Sequence, residues 1–301
     1  MTTAVGTAGV SRAEPSRLTG PRRFAREFAA RPGGMTGLIV LVAMVILALV
    51  APLFIHASDL DVINAPGPTL APPSGSFPLG TDQAGRSVLL LTIWGARPSM
   101  AIGAIATVVT IVIGAVIGLF AGHFGGIVGR LLMALTDWFI ALPVLPLAIS
   151  LAVVLGQGDA SITIAIAVTS WSSTARIVRA QTLAVEARPY VERARALGAG
   201  HLQVVARQVL PNVMPMILVS STLTIAGAIL SETTLQFLGL GNPTEVSWGA
   251  MLEQAFQQGA ITAGAWWWLL APGVAILIVA LGFNLTGRAI EDVLNPRAGT
   301  R

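Results

Sequence analysis

Residues 190–212 read YVERARALGAGHLQVVARQVLPN. Glu192, Arg193, Arg195 and Arg207, with His201, lie between Pro189 and Pro211, and Gly198 and Gly200 interrupt the run. Long apolar segments flank it on both sides. A charged, punctuated stretch belongs outside a bilayer, so its position decides how the rest of the chain threads the membrane.

The chain has 301 residues, 54% of them hydrophobic and only 11% charged. Soluble domains carry about a quarter charged residues, so the expected fold is an all-α polytopic membrane protein. All 18 basic residues are arginines. Without lysine there is no P-loop to hold nucleotide phosphates and no amine for Schiff-base chemistry. The absence of cysteine removes thiol catalysis, disulfides and thiolate metal sites.

A membrane-crossing helix needs about 20 apolar residues. Segments 35–57, 98–122, 131–155, 213–231 and 265–287 meet that length. Segment 160–175 is shorter and rich in Ser and Thr, and Arg176 and Arg179 can snorkel to lengthen it. Six spans put both termini on one side. The first apolar run is too long for a signal-peptide core and is read as a retained span.

With the N-terminus inside, Arg86 and Arg97 alone fall outside, and the positive-inside rule selects that orientation. Residues 1–34 then form a cytoplasmic, disordered arginine-rich tail, and 288–301 a second cytoplasmic tail. Residues 58–97, with APGPTLAPPSG, make an external segment of turns. Trp266, Trp267 and Trp268 open the last span at its outer end as an aromatic belt. The long internal loop is 176–212, inside a core of 98–287.

Within that loop Pro189 suits a first helical turn. Tyr190, Ala194 and Leu197, at i, i+4 and i+7, share an apolar face, with Glu192, Arg193 and Arg195 elsewhere. Gly198 supplies a C-terminal stop with positive φ. A second short helix from His201 ends at Pro211. An interfacial helix is the plainer reading of such a segment. A docking knob for a cytoplasmic partner is the sharper one.

Glu192, Ala194, Gly198, Leu210 and Pro211 resemble the coupling-loop signature of ABC importer permeases in residue and spacing, with Arg193 and Gln208 departing from it. LGTDQAGRSVLLLTIWGARPSM at 79–100, LQFLGLGNPTEVSWGAML at 235–252 and the stretch from 266 to 297 resemble the C-type permease subunits of dipeptide and oligopeptide importers. Ser87, Arg288 and Asn295 stand where acidic residues are usual. The similarity runs over 79–297. It implies a type I-like importer permease that pairs with a second related permease, two cytoplasmic ATPase subunits and an extracytoplasmic binding protein. ATP and magnesium would sit on the ATPases and no cofactor on this chain. The coupling residues it implies are Tyr190, Glu192, Arg193, Ala194, Arg195, Leu197 and Gly198. The cargo it implies is di- or oligopeptides, with nickel chelates, glutathione or haem, carried by the same architecture, as the alternative.

Asp137 is the carboxylate within a span, with Arg130 as its expected partner and a place along the pathway as the other reading. Glu232 reads as an interfacial acid. Gly114, Gly118 and Gly122 form a small-residue ridge for a close helix neighbour. His56, His123 and His201 lie far apart in sequence, which argues against a metal site. An ion-coupled secondary transporter would need buried acidic relays and broken helices.

Overall fold

The computed structural model describes residues 20–63 and 65–294. Every regular element among them is helical, apart from an isolated antiparallel bridge between Thr81 and Ser87. Two helices open the described chain: α1 (Pro21–Ala29) and α2 (Pro32–Phe54). Phe24 and Phe28 stack at 6.3 Å, and Phe28 buries itself beside Ala289 and Val293 near the C-terminus. Arg31 pairs with Asp292. Residues 20–34 are therefore an ordered, docked segment rather than the disordered tail expected. Residues 1–19 and 295–301 lie outside the described residues.

After a single 3-10 turn at Ala57–Leu60, the chain reaches α3 (Val88–Phe124), which starts ten residues before the span read at 98. The intervening segment is tied down by its own polar groups. Thr81 Oγ1 donates to the Pro68 carbonyl at 2.6 Å, and Arg86 Nε donates to Asp82 at 2.7 Å. Asp82 also accepts the Ala84 and Arg86 amides, so this buried carboxylate is well satisfied. The segment settles over the start of the last helix, where Trp267 Nε1 donates to the Thr81 carbonyl at 3.0 Å. Trp267 and Trp268 are consequently buried, and Trp266 alone reaches the surface. The aromatic belt is reduced to one ring, because the loop needs the other two as its floor.

The segment read as one span at 131–155 is two helices, α4 (Gly126–Ala141) and α5 (Val144–Leu155), meeting at 92°. Pro143 is the cause. The residue before a proline is driven from helical to extended backbone, and Leu142 has φ −80° and ψ 137°.

Helix α6 (Asp159–Glu186) continues eleven residues past the expected end at 175. It packs between α3, α4, α5 and α9, and its most extensive contact is with α3. A Cβ on Gly114 would sit 2.6 Å from Thr174 Cβ, one on Gly118 2.5 Å from the Ala175 carbonyl, and one on Gly122 2.6 Å from Thr182 Cγ2. In lipid, helices gain little from hiding apolar surface from one another, and close contact over small residues supplies dispersion instead. The buried hydroxyls on α6 return to their own helix, Thr169 Oγ1 to Ala165 O and Thr182 Oγ1 to Val178 O, both at 2.8 Å.

Two short helices follow, α7 (Pro189–Ala196) and α8 (His201–Val204). A π turn at Val205–Val209 leads into α9 (Leu210–Phe237), and α10 (Trp248–Gln257) and α11 (Trp266–Leu294) complete the chain. Pro211 does not end a helix, because the wider π turn takes up the missing N–H and the helix runs from His201 to Phe237. Among the described residues, four helices are long and apolar enough to cross a membrane: Pro32–Phe54, Val88–Phe124, His201–Phe237 and Trp266–Leu294. The bent pair makes a fifth. With 28 residues α6 spans about 42 Å, yet its polar content keeps it below that hydropathy. The six-span count is thus four or five by composition, with α6 as a buried rod of crossing length.

Candidate functional site

The segment between α6 and α9 is anchored by valines. Val191, Val204 and Val209 are fully buried with Val185 and Val178 of α6, Leu119 of α3 and Val213 of α9. Tyr190 joins that cluster in part, and its hydroxyl is buried without a hydrogen-bond partner. The expected face of Tyr190, Ala194 and Leu197 is therefore split. Tyr190 turns inward, Ala194 is half-buried, and Leu197 is 88% exposed. Helical spacing shows which residues share a side but not which side meets the bundle. Here the rings and valines at 190 and 191 decide it.

The outward surface carries Glu192, Arg193, Arg195 and Leu197, joined by Leu202 at 79% exposure. Leu202 was not among the residues picked from sequence. Its signal was a large apolar side chain just beyond the glycine hinge. Gly198 holds φ 85°, its N–H reaching Arg195 O at 2.9 Å while the Ala199 N–H reaches Ala194 O at 3.0 Å. These two bonds make a Schellman stop. They set the angle between α7 and α8, which together present Leu197 and Leu202.

A polar cluster ties this surface to the bundle. Arg195 pairs with Glu186 at the end of α6. Glu186 Oε1 lies 2.5 Å from His123 Nδ1, and His123 Nε2 lies 3.0 Å from His201 Nδ1. The histidines expected to be scattered thus meet in part, His123 with His201, although no group of three metal-ligating side chains occurs among the described residues. Four helices converge at this point. Separation in sequence hid it, since residues 123, 186, 195 and 201 come from different elements.

Asp137 is paired with Arg176 of α6 at 2.6 Å rather than with Arg130, whose Nε donates to the Gly126 carbonyl. Helix α4 itself packs against α6, which brings Asp137 to Arg176. Glu232 is wholly buried, not interfacial. It accepts from Ser99 at 3.2 Å and Gln236 at 2.8 Å, linking α9 to α3.

Residues 114–300, which contain the whole α7–α8 surface, match the family described as binding-protein-dependent transport system inner membrane component. The chain belongs to that family. Residues 22–73 of this permease also match the N-terminal TM domain of oligopeptide transport permease C. The likeness therefore starts well before the residue 79 at which it was first visible. The permease is 37% identical to the di/tripeptide transport system permease protein of Pseudomonas aeruginosa, over 92% of each chain. It is 37% identical to the oligopeptide transport system permease protein of Bacillus subtilis, over 90% of this chain and 87% of the relative. It is 34% identical to a glutathione transport system permease protein of Escherichia coli, over 92% and 89%. A chain from a structure of the MetNI methionine ABC transporter in inward-facing conformations shares the fold, with TM-score 0.55 and 21% identity, covering 68% of this permease and 97% of that chain. This permease is a multi-pass inner-membrane transport component, of a family that works with ATPases and substrate-binding proteins.

Proposed function

We propose that the permease forms the transmembrane path of an ATP-driven importer of dipeptides and oligopeptides, in a heterodimer with a second related permease. The observation that carries this reading is the α7–α8 surface, where Leu197 and Leu202 stand exposed on a segment whose inner face is locked by valines. Peptide permeases at 34–37% identity over most of the chain supply the cargo class. Glutathione, the cargo named for another relative, is itself a tripeptide.

The importer has two cytoplasmic ATPases, holding ATP and magnesium, and the α7–α8 surface seats on them through Leu197, Leu202, Arg193 and Arg195. Closing the ATPase dimer moves α7 and α8 as one body. The anchoring valines and the Glu186–His123–His201 cluster carry that motion into α3, α6 and α9. The chain itself contributes no catalytic group, and both termini lie on the ATPase side with α7. The broken pair α4–α5 does not revive an ion-coupled mechanism, because the break follows from Pro143 and Asp137 is paired with Arg176.

The test is reconstitution of the permease with its partner permease, ATPases and binding protein in sealed vesicles. Uptake of labelled tripeptide dependent on ATP is the expected result, and uptake dependent on an ion gradient alone would overturn the reading. Cysteines introduced at Ser74 and Thr262 should react from the side opposite Gln203→Cys. Labelling of all three from one side would overturn the orientation.

A further inference from the structure

At the end of the bundle opposite α7, a cavity of about 1440 Å³ opens between the start of α3, the start of α6 and the segment after α9. Its wall mixes aromatic, cationic and acidic groups: Trp94, Arg97, Asp159 and Glu245, with Ala101 and Thr163 between them. Asp61 and the Asp82–Arg86 pair also border it, with Arg86 bonded to Asp82, the Leu60 carbonyl and Gln254.

Arg97 projects over the Trp94 ring, its guanidinium carbon 4.8 Å from the ring centroid, and forms no ion pair among the described residues. Stacking of this kind holds the guanidinium plane while leaving its N–H edge free for a carboxylate. Asp159, at the start of α6, and Glu245, in the segment after α9, line the same cavity, and Asp159 pushes the Glu245 carboxyl up. Asp159 Oδ1 is buried and receives no donor from elsewhere in the protein. Two carboxyl groups facing one cavity favour a cation between them. A cation with several N–H donors can supply the donor that Asp159 Oδ1 lacks and reach Glu245 as well.

We propose that this cavity is a subsite for a peptide with free termini, Arg97 taking the α-carboxylate and the Asp159–Glu245 pair taking the α-ammonium. This deepens the peptide-import reading and rests on it. Glu245 must be charged to take the ammonium, so occupancy rises with pH. Asp159 first, and then burial, push the Glu245 carboxyl up, and Arg97 opposes that shift. Arg97, Asp159 and Glu245 all line this one cavity. A peptide blocked at both ends offers neither charge.

The natural absence of cysteine provides the probe. Ala101→Cys, exposed on the cavity wall, is introduced into the assembled transporter without its binding protein. Its reaction with a small thiol reagent is followed on this chain. Trialanine with free termini should slow labelling, more strongly as pH rises, and N-acetyl trialanine amide should not. Arg97→Gln, and separately Glu245→Gln, should raise the protecting concentration about tenfold or more, as for loss of a charge partner, while Arg97→Lys keeps part of the protection. Equal protection by the blocked peptide, or no protection by either, would overturn the proposal. So would an Ala101→Cys site that is unreactive in the complex, since the cavity would then be an interface between permeases. Uptake of trialanine by the unmodified transporter is measured in parallel. Uptake without protection sinks the subsite alone, and absence of uptake sinks the peptide reading itself.

Discussion

His123 Nε2 lies 3.0 Å from His201 Nδ1, joining the last turn of α3 to the first turn of α8. With both rings neutral, His123 Nδ1–H donates to Glu186, and His123 Nε2 accepts from His201 Nδ1–H. The carboxylate fixes the tautomer of one ring, and that ring orients the next. The α7–α8 segment is thereby bound to α3 and α6 by directional bonds as well as by valine packing.

Removing the middle of this chain should loosen the segment without unfolding the bundle. In His123→Ala, amide exchange over residues 189–204 should quicken about tenfold or more, since hydrogen bonds to charged groups contribute about 1.5–3 kcal/mol. Transport per ATP hydrolysed should fall while the ATPases remain bound. Hydrogen-exchange mass spectrometry checks the first effect, and unchanged exchange would show that the valines alone hold the segment.

Leu197→Asp and Leu202→Asp should each release ATPase subunits during purification. Both side chains are exposed in the free chain, so the folded bundle loses little, whereas truncating a buried anchor in an interface costs about 2 kcal/mol or more. Tyr190→Phe is the control. It deletes a buried hydroxyl that has no partner, so ATPase retention should stay at the unmodified level. Retained ATPase per permease is the measurement. Loss of ATPase in Tyr190→Phe, or full retention in Leu197→Asp, would move the docking face back to the inner side of α7.

Gly198→Ala tests the hinge. No atom lies within 4 Å of the Cβ it would add, so the whole effect comes from forcing alanine to φ 85°. That conformation costs roughly 1–2 kcal/mol for a residue with a side chain. The expected outcome is normal insertion and expression with reduced coupling, read as ATP hydrolysed per peptide imported. Gly200→Ala, at φ −68°, should be nearly silent in the same assay.

The Asp159–Glu245 pair should leave a signature in pH dependence. Glu245 is held above the ordinary carboxylate range, first by Asp159 and then by burial. Between the ordinary and the raised value the folded chain binds more protons than the unfolded chain, so this group's contribution to stability falls as pH rises through that window. In Asp159→Asn the amide donates to the Glu245 carboxylate and favours its charged form, so the fall should disappear. Thermal unfolding of both forms across the mildly acidic range measures the difference. Parallel curves would show that Asp159 does not act on Glu245.

Much of this protein is decided by local chemistry and was legible in the chain. Twenty-residue apolar runs must become helices in lipid, because every backbone N–H and C=O there needs an internal partner. Proline at 189 and glycine at 198 bound a short helix for steric reasons that involve only their neighbours, and the spacing from Glu192 to Pro211 points to the family. The glycine ridge at 114, 118 and 122 likewise foretold a close helix contact. Other features depend on which elements meet, and that is not a property of any one segment. A period of 3.6 residues places Tyr190 and Leu197 on related sides of α7 but cannot say that Val191 and the Tyr190 ring face the bundle. The pairing of Asp137 with Arg176 rather than Arg130 depends on α4 packing against α6. His123, Glu186, Arg195 and His201 become a cluster only when α3 and α6 lie side by side. Arg97, Asp159 and Glu245 share a cavity for the same reason: long-range packing chooses among partners that are equivalent in local chemistry.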